Sequence, residues 1–346
     1  MSPGGPSRSA ELWYDVPMNA DSTYKKTSDI VRKYGFNFRK RFGQNFLTDD
    51  SVLEKIVEAS GITKDDLVIE IGPGIGTLTR YLCQAAGQVA AVEIDRDLVK
   101  ILQDTLKEYD NVRVIEGDVL KVDLCAVARE YGISLQEEDG TVQKAPELPG
   151  TGDGTVKKAP ELSETGDGSR YNGAPQRSLK VVANLPYYIT TPILMGLFEQ
   201  HVPADRITVM VQKEVAERMT ASCGSRDYGS LSLAVQYYSR PKIEVIVPAS
   251  SFLPSPKVDS AVVSLDVYRE KPVQVKDEHL LKSVVRAAFG QRRKTLANSL
   301  GNAPSVPASR GQAAAALEKM GLSASVRGEK LTLQQFAELT DLLGRL

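Results

Sequence analysis

The stretch Val68-Ile-Glu-Ile-Gly-Pro-Gly-Ile-Gly76 decides the fold class of this chain. A short apolar run that ends in glycines is typical of a buried strand that passes through a tight turn into a helix. The glycines stand at 72, 74 and 76, which differs from the Gly-x-Gly-x-x-Gly spacing of dinucleotide-binding turns and argues against NAD. We therefore predict a turn whose backbone approaches a ligand, followed by a helix whose free N–H groups face it.

Strands and helices alternate on both sides of this turn. Besides 67–71, the apolar runs predict strands at 89–94, 112–115, 179–183 and 207–212. Apolar residues at helical spacing predict helices at 51–59 (with Thr48 or Asp49 as N-cap), 77–86, 97–108, 191–200 and 215–219. Such alternation indicates an α/β fold with a parallel sheet and helices on both of its faces.

The remaining segments differ in character from this core. Three further strands are predicted at 235–238, 243–247 and 261–267, and the last two suit an antiparallel hairpin. The chain becomes helical after about residue 277, with period-3.6 patterns at 280–289, 295–300, 313–320 and 334–343. The predicted organisation is an N-terminal extension (1–34, disordered to about residue 22), an α/β domain (35–270) and a helical domain (275–346).

An imperfect repeat interrupts the α/β domain at 135–176. Gly140-Thr-Val-Gln-Lys-Ala-Pro-Glu-Leu148 recurs as Gly154-Thr-Val-Lys-Lys-Ala-Pro-Glu-Leu162. Two copies rich in Gly, Pro and charge cannot bury an apolar face, so we interpret the segment as a flexible surface insertion.

Composition excludes several classes of protein. Hydrophobic residues make up 42% of the 346-residue chain and charged residues 25%, as in soluble globular proteins. No stretch approaches the roughly 18 apolar residues of a membrane span, and no secretory signal opens the chain. Three scattered cysteines and two histidines argue against a metal site and favour a reducing, cytoplasmic location.

Basic residues are clustered although the net charge is −1. One cluster includes Arg39, Lys40 and Arg41, and a second consists of Arg292, Arg293 and Lys294. Each cluster is either a solvated face or a contact for nucleic-acid phosphates, because the placement of charge matters more than its total.

Two acidic residues follow strands next to the glycine turn. Glu93 ends the second strand of the α/β domain, where a carboxylate can accept both hydroxyls of a ribose. Asp118 follows the third strand, where it can accept a hydrogen bond from an adenine amine. Both fall at the carboxyl edge of the predicted sheet, which binds ligands in such folds. The three features together predict a nucleoside-containing cofactor.

The tetrapeptide Asn184-Leu-Pro-Tyr187 comes directly after the fourth strand, at the same edge. An adenine N6 amine is a poor nucleophile because its lone pair is delocalised into the ring. The Asn184 side-chain oxygen, together with the backbone carbonyl of Leu185 or Pro186, can accept both N–H bonds and aim the lone pair at a sulfonium methyl group. Tyr187 offers a ring for an extruded base, and Pro186 stiffens the loop.

These segments together resemble the ribosomal RNA adenine dimethyltransferase family, in particular its small-subunit (16S-type) enzymes. The matching segments are Arg41-Phe-Gly-Gln-Asn-Phe-Leu-Thr48, Glu70-Ile-Gly-Pro-Gly74, Val92-Glu-Ile-Asp-Arg-Asp97, Asn184-Leu-Pro-Tyr187, Phe252-Leu-Pro-Ser-Pro-Lys-Val-Asp-Ser260 and Phe289-Gly-Gln-Arg-Arg-Lys294. The resemblance covers about residues 35–345 without the insertion. It implies a Rossmann-like class I methyltransferase sheet with a small C-terminal all-helical domain.

The resemblance also implies a set of functional residues. S-adenosyl-L-methionine would be bound by Asn45, Leu47, Gly72, Glu93, Asp118 and Asn184. The target base would meet Asn184, Leu185, Pro186, Tyr187 and Phe252, although Phe252 can equally be a core residue beside rigid prolines. RNA phosphates would meet Arg39, Lys40, Arg41, Lys257, Arg292, Arg293 and Lys294.

The family's activity is two methyl transfers to each of two adjacent adenines in the 3′-terminal hairpin of small-subunit rRNA. The expected partner is therefore small-subunit rRNA within a pre-30S particle, and we expect a monomer with a role in small-subunit biogenesis. Three alternatives stay open: a large-subunit rRNA methyltransferase of the macrolide-resistance type, a DNA adenine methyltransferase, and a non-catalytic ribosome-assembly factor.

Overall fold

The computed structural model describes residues 22–34, 45–133 and 178–345. The predicted disorder before residue 22, the basic residues 39–41 and the predicted insertion lie outside these ranges. The helices that the structure describes are α1 (Thr23–Lys33), α2 (Asp50–Ser60), α3 (Thr77–Ala85), α4 (Arg96–Thr105), α5 (Leu124–Glu130), α6 (Thr190–Glu199), α7 (Lys213–Thr220), α8 (Ser230–Tyr238), α9 (Glu278–Gly290), α10 (Leu296–Gly301), α11 (Arg310–Lys319) and α12 (Leu333–Leu343).

Two sheets are formed by the strands β1 (Phe46–Leu47), β2 (Leu67–Ile71), β3 (Gln88–Glu93), β4 (Val112–Glu116), β5 (Leu179–Asn184), β6 (Arg206–Gln212), β7 (Ser239–Val247), β8 (Phe252–Leu253) and β9 (Ser260–Val267). The larger sheet has the order β4-β3-β2-β5-β6-β9-β7. Its first five strands are parallel, and β9 is antiparallel to both β6 and β7. The predicted parallel α/β sheet and the antiparallel β7–β9 pairing are thus confirmed.

The apolar runs form central strands because the sheet is covered on both faces. All five residues of β2 are buried, as are Val181, Val182 and Ala183 of β5. A strand that is buried on both faces has a continuous apolar run rather than an alternating one. This is why the runs at 67–71 and 179–183 predicted their strands so closely.

The prediction of a strand at 235–238 was wrong, because these residues belong to α8. The helix begins after Gly229, whose backbone N–H donates to the Ser232 hydroxyl at 3.0 Å, and Ser232 in turn donates to the Arg218 carbonyl. Leu231, Leu233, Val235, Tyr237 and Tyr238 are all buried. A helix buried on most of its circumference shows no periodicity that distinguishes it from a buried strand.

The four C-terminal helices α9–α12 pack on one another and on α8, in agreement with the predicted helical segment. Tyr228 joins them to the α/β part: its hydroxyl donates to the Leu331 carbonyl at 3.0 Å, and its ring meets Phe289 edge-on. Phe289 also contacts Phe336 of α12. The buried apolar cluster runs without a break from the sheet into these helices.

Helix α1 lies within the predicted extension and was not anticipated. Ile30 and Val31 pack against a buried group that includes Phe46 and Leu98. At the end of the helix, Lys33 and Tyr34 both donate to the carboxylate of Asp104 on the segment that ends α4. Part of the extension is therefore folded against the α/β domain. In the ranges that the structure describes, no helix combines the length and the apolar composition that crossing a membrane requires.

Candidate active site

Four parallel strands end side by side and define the edge where the site lies. Ile71 at the end of β2 pairs with Val92 of β3 and with Ala183 of β5. Glu93 at the end of β3 pairs with Glu116 of β4. The segments that follow these strands therefore emerge next to one another, as expected for the ligand edge of a parallel α/β sheet.

The glycine turn after β2 needs its glycines. Gly72 and Gly74 have φ values of +70° and +62°, a left-handed conformation that side chains other than glycine rarely adopt. A Cβ atom on Gly74 would also come within 3.0 Å of the Phe46 ring. The turn therefore exposes backbone rather than side chains toward the cavity, and α3 begins directly behind it at Thr77.

Glu93 ties this turn to the neighbouring strand. Its Oε2 atom accepts a hydrogen bond from the Gly74 N–H at 3.2 Å, and its Oε1 atom accepts one from the Asp95 N–H at 2.9 Å. The side chain is 5% exposed, and burial raises the pKa of its carboxyl. Carboxylate oxygens have further lone pairs, so both can still accept ribose hydroxyls.

Asp118 lies on the loop that follows β4. Its Oδ1 atom accepts a hydrogen bond from the Leu120 N–H at 3.1 Å, which fixes the direction of the carboxylate. The side chain is partly exposed and borders the same cavity as Ile94, whose apolar surface is half exposed. An acceptor beside an exposed apolar side chain suits the edge and the face of an adenine ring.

One cavity at this edge is lined by every predicted cofactor and base contact. These residues are Asn45, Leu47, Gly72, Glu93, Asp118, Asn184, Leu185, Pro186, Tyr187 and Phe252. Asn45 and Leu47 reach the cavity because β1 pairs with β8, where Leu47 stands opposite Phe252. The Thr48 N–H and hydroxyl both donate to the Ser251 carbonyl and hold this pairing in place.

The structure of the loop Asn184–Tyr187 distinguishes the Leu185 carbonyl from the Pro186 carbonyl, which the sequence left as alternative hydrogen-bond acceptors. The Pro186 carbonyl accepts hydrogen bonds from the Ile189 N–H at 3.1 Å and from the Thr190 hydroxyl at 3.4 Å, which use both of its lone pairs. In the described part of the chain, no hydrogen bond to the Leu185 carbonyl is found. The geometry therefore favours Leu185 over Pro186 as the backbone acceptor for a substrate amine.

The two predicted aromatic walls are held firmly. The Tyr187 hydroxyl and the Ser260 hydroxyl form a hydrogen bond of 2.7 Å, and burial raises the pKa of Tyr187. Phe252 is 3% exposed in the free protein, and it lines the cavity while packing into the core. The two interpretations of Phe252, aromatic wall and core residue, are thus compatible.

Sequence reasoning missed Glu70, which also lines the cavity. The side chain is 1% exposed, and its Oε2 atom has no hydrogen-bond partner among the described residues. Burial raises the pKa of the Glu70 carboxyl to about 8. Its signal was an acidic residue in the middle of a buried strand, where an unpaired carboxyl is costly unless it serves a ligand.

The basic residues that were predicted to contact phosphates differ in exposure and in hydrogen bonding. Lys257 and Lys213 border a common surface depression. Arg293 and Lys294 are exposed after α9, whereas the guanidinium of Arg292 donates to the carbonyls of Arg226 and Tyr228 at 2.9 and 2.5 Å. Arg292 therefore holds a neighbouring loop. The remaining predicted contacts, at 39–41, lie outside the described residues.

This fold and site define a class I S-adenosylmethionine-dependent methyltransferase. The residues present fit that cofactor: Glu93 suits a ribose, and Asp118 and Ile94 suit an adenine. Within the described ranges, no group of three or more His, Cys, Asp and Glu side chains is placed to hold a metal ion.

Comparison with known proteins gives the family. The family described as "Ribosomal RNA adenine dimethylase" matches residues 35–344, and the chain belongs to it. The chain is 50% identical over 320 residues to "Ribosomal RNA small subunit methyltransferase A" of Lachnoclostridium phytofermentans, a match that covers 92% of this chain and 96% of the relative. It is 45% identical to the protein of the same name from Streptococcus sanguinis, covering 92% and 97%.

Solved structures agree on the fold. A dimethyladenosine transferase from Plasmodium falciparum superimposes with a TM-score of 0.61 at 24% identity, covering 85% of this chain and 95% of that one. The 23S rRNA methyltransferase ErmE superimposes with a TM-score of 0.57 at 24% identity, covering 87% and 100%. The predicted fold class, family and cofactor are confirmed, and the residue roles stay predictions.

Proposed function

We propose that this enzyme transfers methyl groups from S-adenosylmethionine to the N6 amines of two adjacent adenines in the 3′-terminal hairpin of small-subunit rRNA. The product is N6,N6-dimethyladenosine, and the RNA is presented within a pre-30S particle during small-subunit biogenesis. The names of relatives 41–50% identical over most of the chain support the small-subunit substrate.

One observation carries the proposal: the acceptors of the Asn184–Tyr187 loop and the glycine turn line the same cavity. The bound cofactor supplies an electrophilic methyl group on a sulfonium. The Asn184 side-chain oxygen and the Leu185 carbonyl accept the two N–H bonds of the adenine amine. This localises the nitrogen lone pair and directs it into the cavity, where orientation does most of the work.

Proton removal places little demand on the protein. The amine nitrogen becomes acidic after it has formed its new bond, so the proton leaves to water or to an acceptor in the loop without a strong base. A monomethylated amine keeps one N–H, which can still donate to the loop. The dimethylated amine has no N–H, so its hydrogen bonds to Asn184 and Leu185 are lost and release of the product is favoured.

The base itself is held between Tyr187 and Phe252 after extrusion from its stack. Lys257, Arg293, Lys294 and the 39–41 cluster contact phosphates and set the position of the RNA. We further propose that the enzyme acts as a monomer in the cytoplasm. The phosphate contacts depend on the charge and exposure of the basic side chains rather than on base-specific readout.

Under-methylated small subunits and methyl-labelled S-adenosylmethionine provide the test. The label is mapped by nuclease digestion and mass spectrometry, with an Asn184→Ala variant in parallel. Label as N6,N6-dimethyladenosine in the 3′-terminal hairpin, lost in the variant, is the expected result. Label on large-subunit RNA instead would assign the macrolide-resistance activity. Absence of label with RNA still bound would leave a non-catalytic assembly factor.

A further inference from the structure

Tyr188 carries the most exposed large apolar side chain in the described part of the chain. It is 61% exposed, and it borders the mouth of the cavity directly after the Asn184–Tyr187 loop. An exposed aromatic ring contributes little to folding, because it removes little apolar surface from water. Its position at the mouth of a substrate cavity therefore indicates a role in binding rather than in folding.

Hydrogen bonds constrain the backbone around Tyr188 and so fix where its side chain leaves the chain. The Ile189 N–H and the Thr190 hydroxyl both donate to the Pro186 carbonyl, which closes a turn around Tyr188. Thr190 is buried and begins α6. The backbone of such a turn needs no further ordering when the side chain meets a ligand, which favours binding.

The inner walls of the cavity are already assigned to other rings. Tyr187 is half-buried and tied to Ser260, and Phe252 is almost fully buried. Both therefore face the interior, where the target base enters. Tyr188 is adjacent to Tyr187 but largely exposed to solvent, at the rim of the same cavity.

We propose that Tyr188 is a positioning residue whose ring stacks on the nucleotide next to the target adenine. This inference rests on the proposed function, since it requires an unstacked RNA strand at the mouth. A flanking base that has lost its own stacking neighbour gains an aromatic platform from the protein. Stacking of this kind is tolerant of base identity, because every base offers a π-face.

The inference separates binding from chemistry. Tyr188→Ala raises KM for under-methylated small subunits by roughly tenfold, the order expected for one lost base–aromatic stack. The kcat value and the affinity for S-adenosylhomocysteine stay within about twofold of wild type, because Tyr188 does not hold the reacting amine. Tyr188→Phe keeps the ring and behaves as wild type, whereas Tyr188→Leu keeps apolar area without the π-face and behaves as Tyr188→Ala.

Steady-state methylation of under-methylated small subunits tests this series. Tyr268→Ala is the matched control, because Tyr268 is also exposed but follows β9 at the end of the sheet opposite the cavity. An unchanged KM in Tyr188→Ala would overturn the inference, as would a loss of kcat or of cofactor affinity. If wild-type protein forms no dimethyladenosine, the proposed function fails first and takes the inference with it. A change in KM alone, restored by Phe, supports stacking.

Discussion

The Glu93 carboxylate accepts a hydrogen bond from the Gly74 backbone N–H, 3.2 Å away, and so joins the end of β3 to the glycine turn after β2. A second hydrogen bond, from the Asp95 N–H, fixes the other carboxylate oxygen. The residue that is expected to hold the ribose therefore also shapes the turn beside it. Ligand binding and loop geometry depend on the same side chain.

Glu93→Ala is expected to weaken the binding of S-adenosylhomocysteine by about 10- to 100-fold, because charge-assisted hydrogen bonds of this kind contribute roughly 1.5–3 kcal/mol. Isothermal titration calorimetry measures the change. Glu116→Gln is the matched control, since Glu116 pairs with Glu93 in the sheet register but has an exposed side chain that contacts Arg96. Equal effects of the two variants would contradict this role of Glu93.

Asn184→Ala is expected to lower the rate of methyl transfer by about 100- to 1,000-fold, the range seen when one hydrogen-bonding group that acts in a transition state is removed. Single-turnover methylation of under-methylated small subunits measures the rate. Asn302→Ala, at an exposed helix end, serves as the control. A rate near that of wild type at saturating cofactor would remove Asn184 from the chemistry.

The Tyr187–Ser260 hydrogen bond is open to a double-mutant cycle. Tyr187→Phe and Ser260→Ala should each lower the free energy of unfolding by about 1 kcal/mol, because each leaves one hydroxyl without its partner. The double variant should lose less than the sum of the two. Urea denaturation measures all four proteins. Tyr187→Phe should also keep most of the activity, since its ring remains; additive stability losses would show that the two hydroxyls do not interact.

Glu70 predicts a dependence of stability on pH. Burial, together with the nearby charge of Glu93, raises the pKa of Glu70 to about 8 from an ordinary value of 4.5. Between these values the folded chain holds a proton that the unfolded chain has released. The free energy of unfolding therefore falls as pH rises through this window, by at most about 1.4 kcal/mol per pH unit.

Glu70→Gln removes this proton linkage, so the free energy of unfolding of the variant relative to wild type should rise steadily from pH 5 to pH 8. Denaturant titrations of the apo protein at several pH values measure it, with the exposed Glu54→Gln as control. Parallel pH profiles for wild type and Glu70→Gln would show that Glu70 is ionised in the folded protein.

The basic cluster after α9 should divide into two roles. Arg293→Ala should leave the free energy of unfolding within about 0.5 kcal/mol of wild type and reduce the salt dependence of RNA binding by about one phosphate contact. Arg292→Ala should lower the free energy of unfolding by about 1 kcal/mol, because the carbonyls of Arg226 and Tyr228 lose their donor. Filter binding across a salt series, with thermal melts, separates the two. Identical behaviour of the variants would reject the division.

Buried parallel strands were the part of the fold that could be predicted best. The run at 67–71 matches β2, and the run at 207–212 matches β6 to within one residue, because a short, mostly apolar run in an alternating α/β pattern is typical of a buried strand. The site followed from the same logic, since strand ends of a parallel sheet share one edge. Gly72, Glu93, Asp118 and Asn184, which the strand ends predicted, accordingly line one cavity. Asn45 and Leu47 line it too, but they were expected only from the family resemblance.

Other features were beyond sequence reasoning for physical reasons. Strands β1 and β8 have two residues each, too few for any periodicity, and they form through a pairing that is distant in sequence. Helix α5 has seven residues, and its buried residues Leu124, Val127 and Ala128 span a single helical turn, which is too short for a periodic pattern. The hydrogen bonds that Arg292 donates to a neighbouring loop, and those that the Pro186 carbonyl accepts, depend on backbone positions that composition does not reveal.

The hydrogen bonds from Thr48 to the Ser251 carbonyl join positions 203 residues apart along the chain. Synthesis proceeds from the amino terminus, so the glycine turn, Glu93, Asp118 and Asn184 are all made before Ser251 exists. A nascent chain therefore carries every acidic and amide group of the pocket before β8, which pairs with β1 and contributes Phe252 to the pocket, has been made. Translation products that stop short of this point should fold much of the parallel sheet and yet retain no S-adenosylmethionine, so cofactor capture reports that synthesis has passed β8.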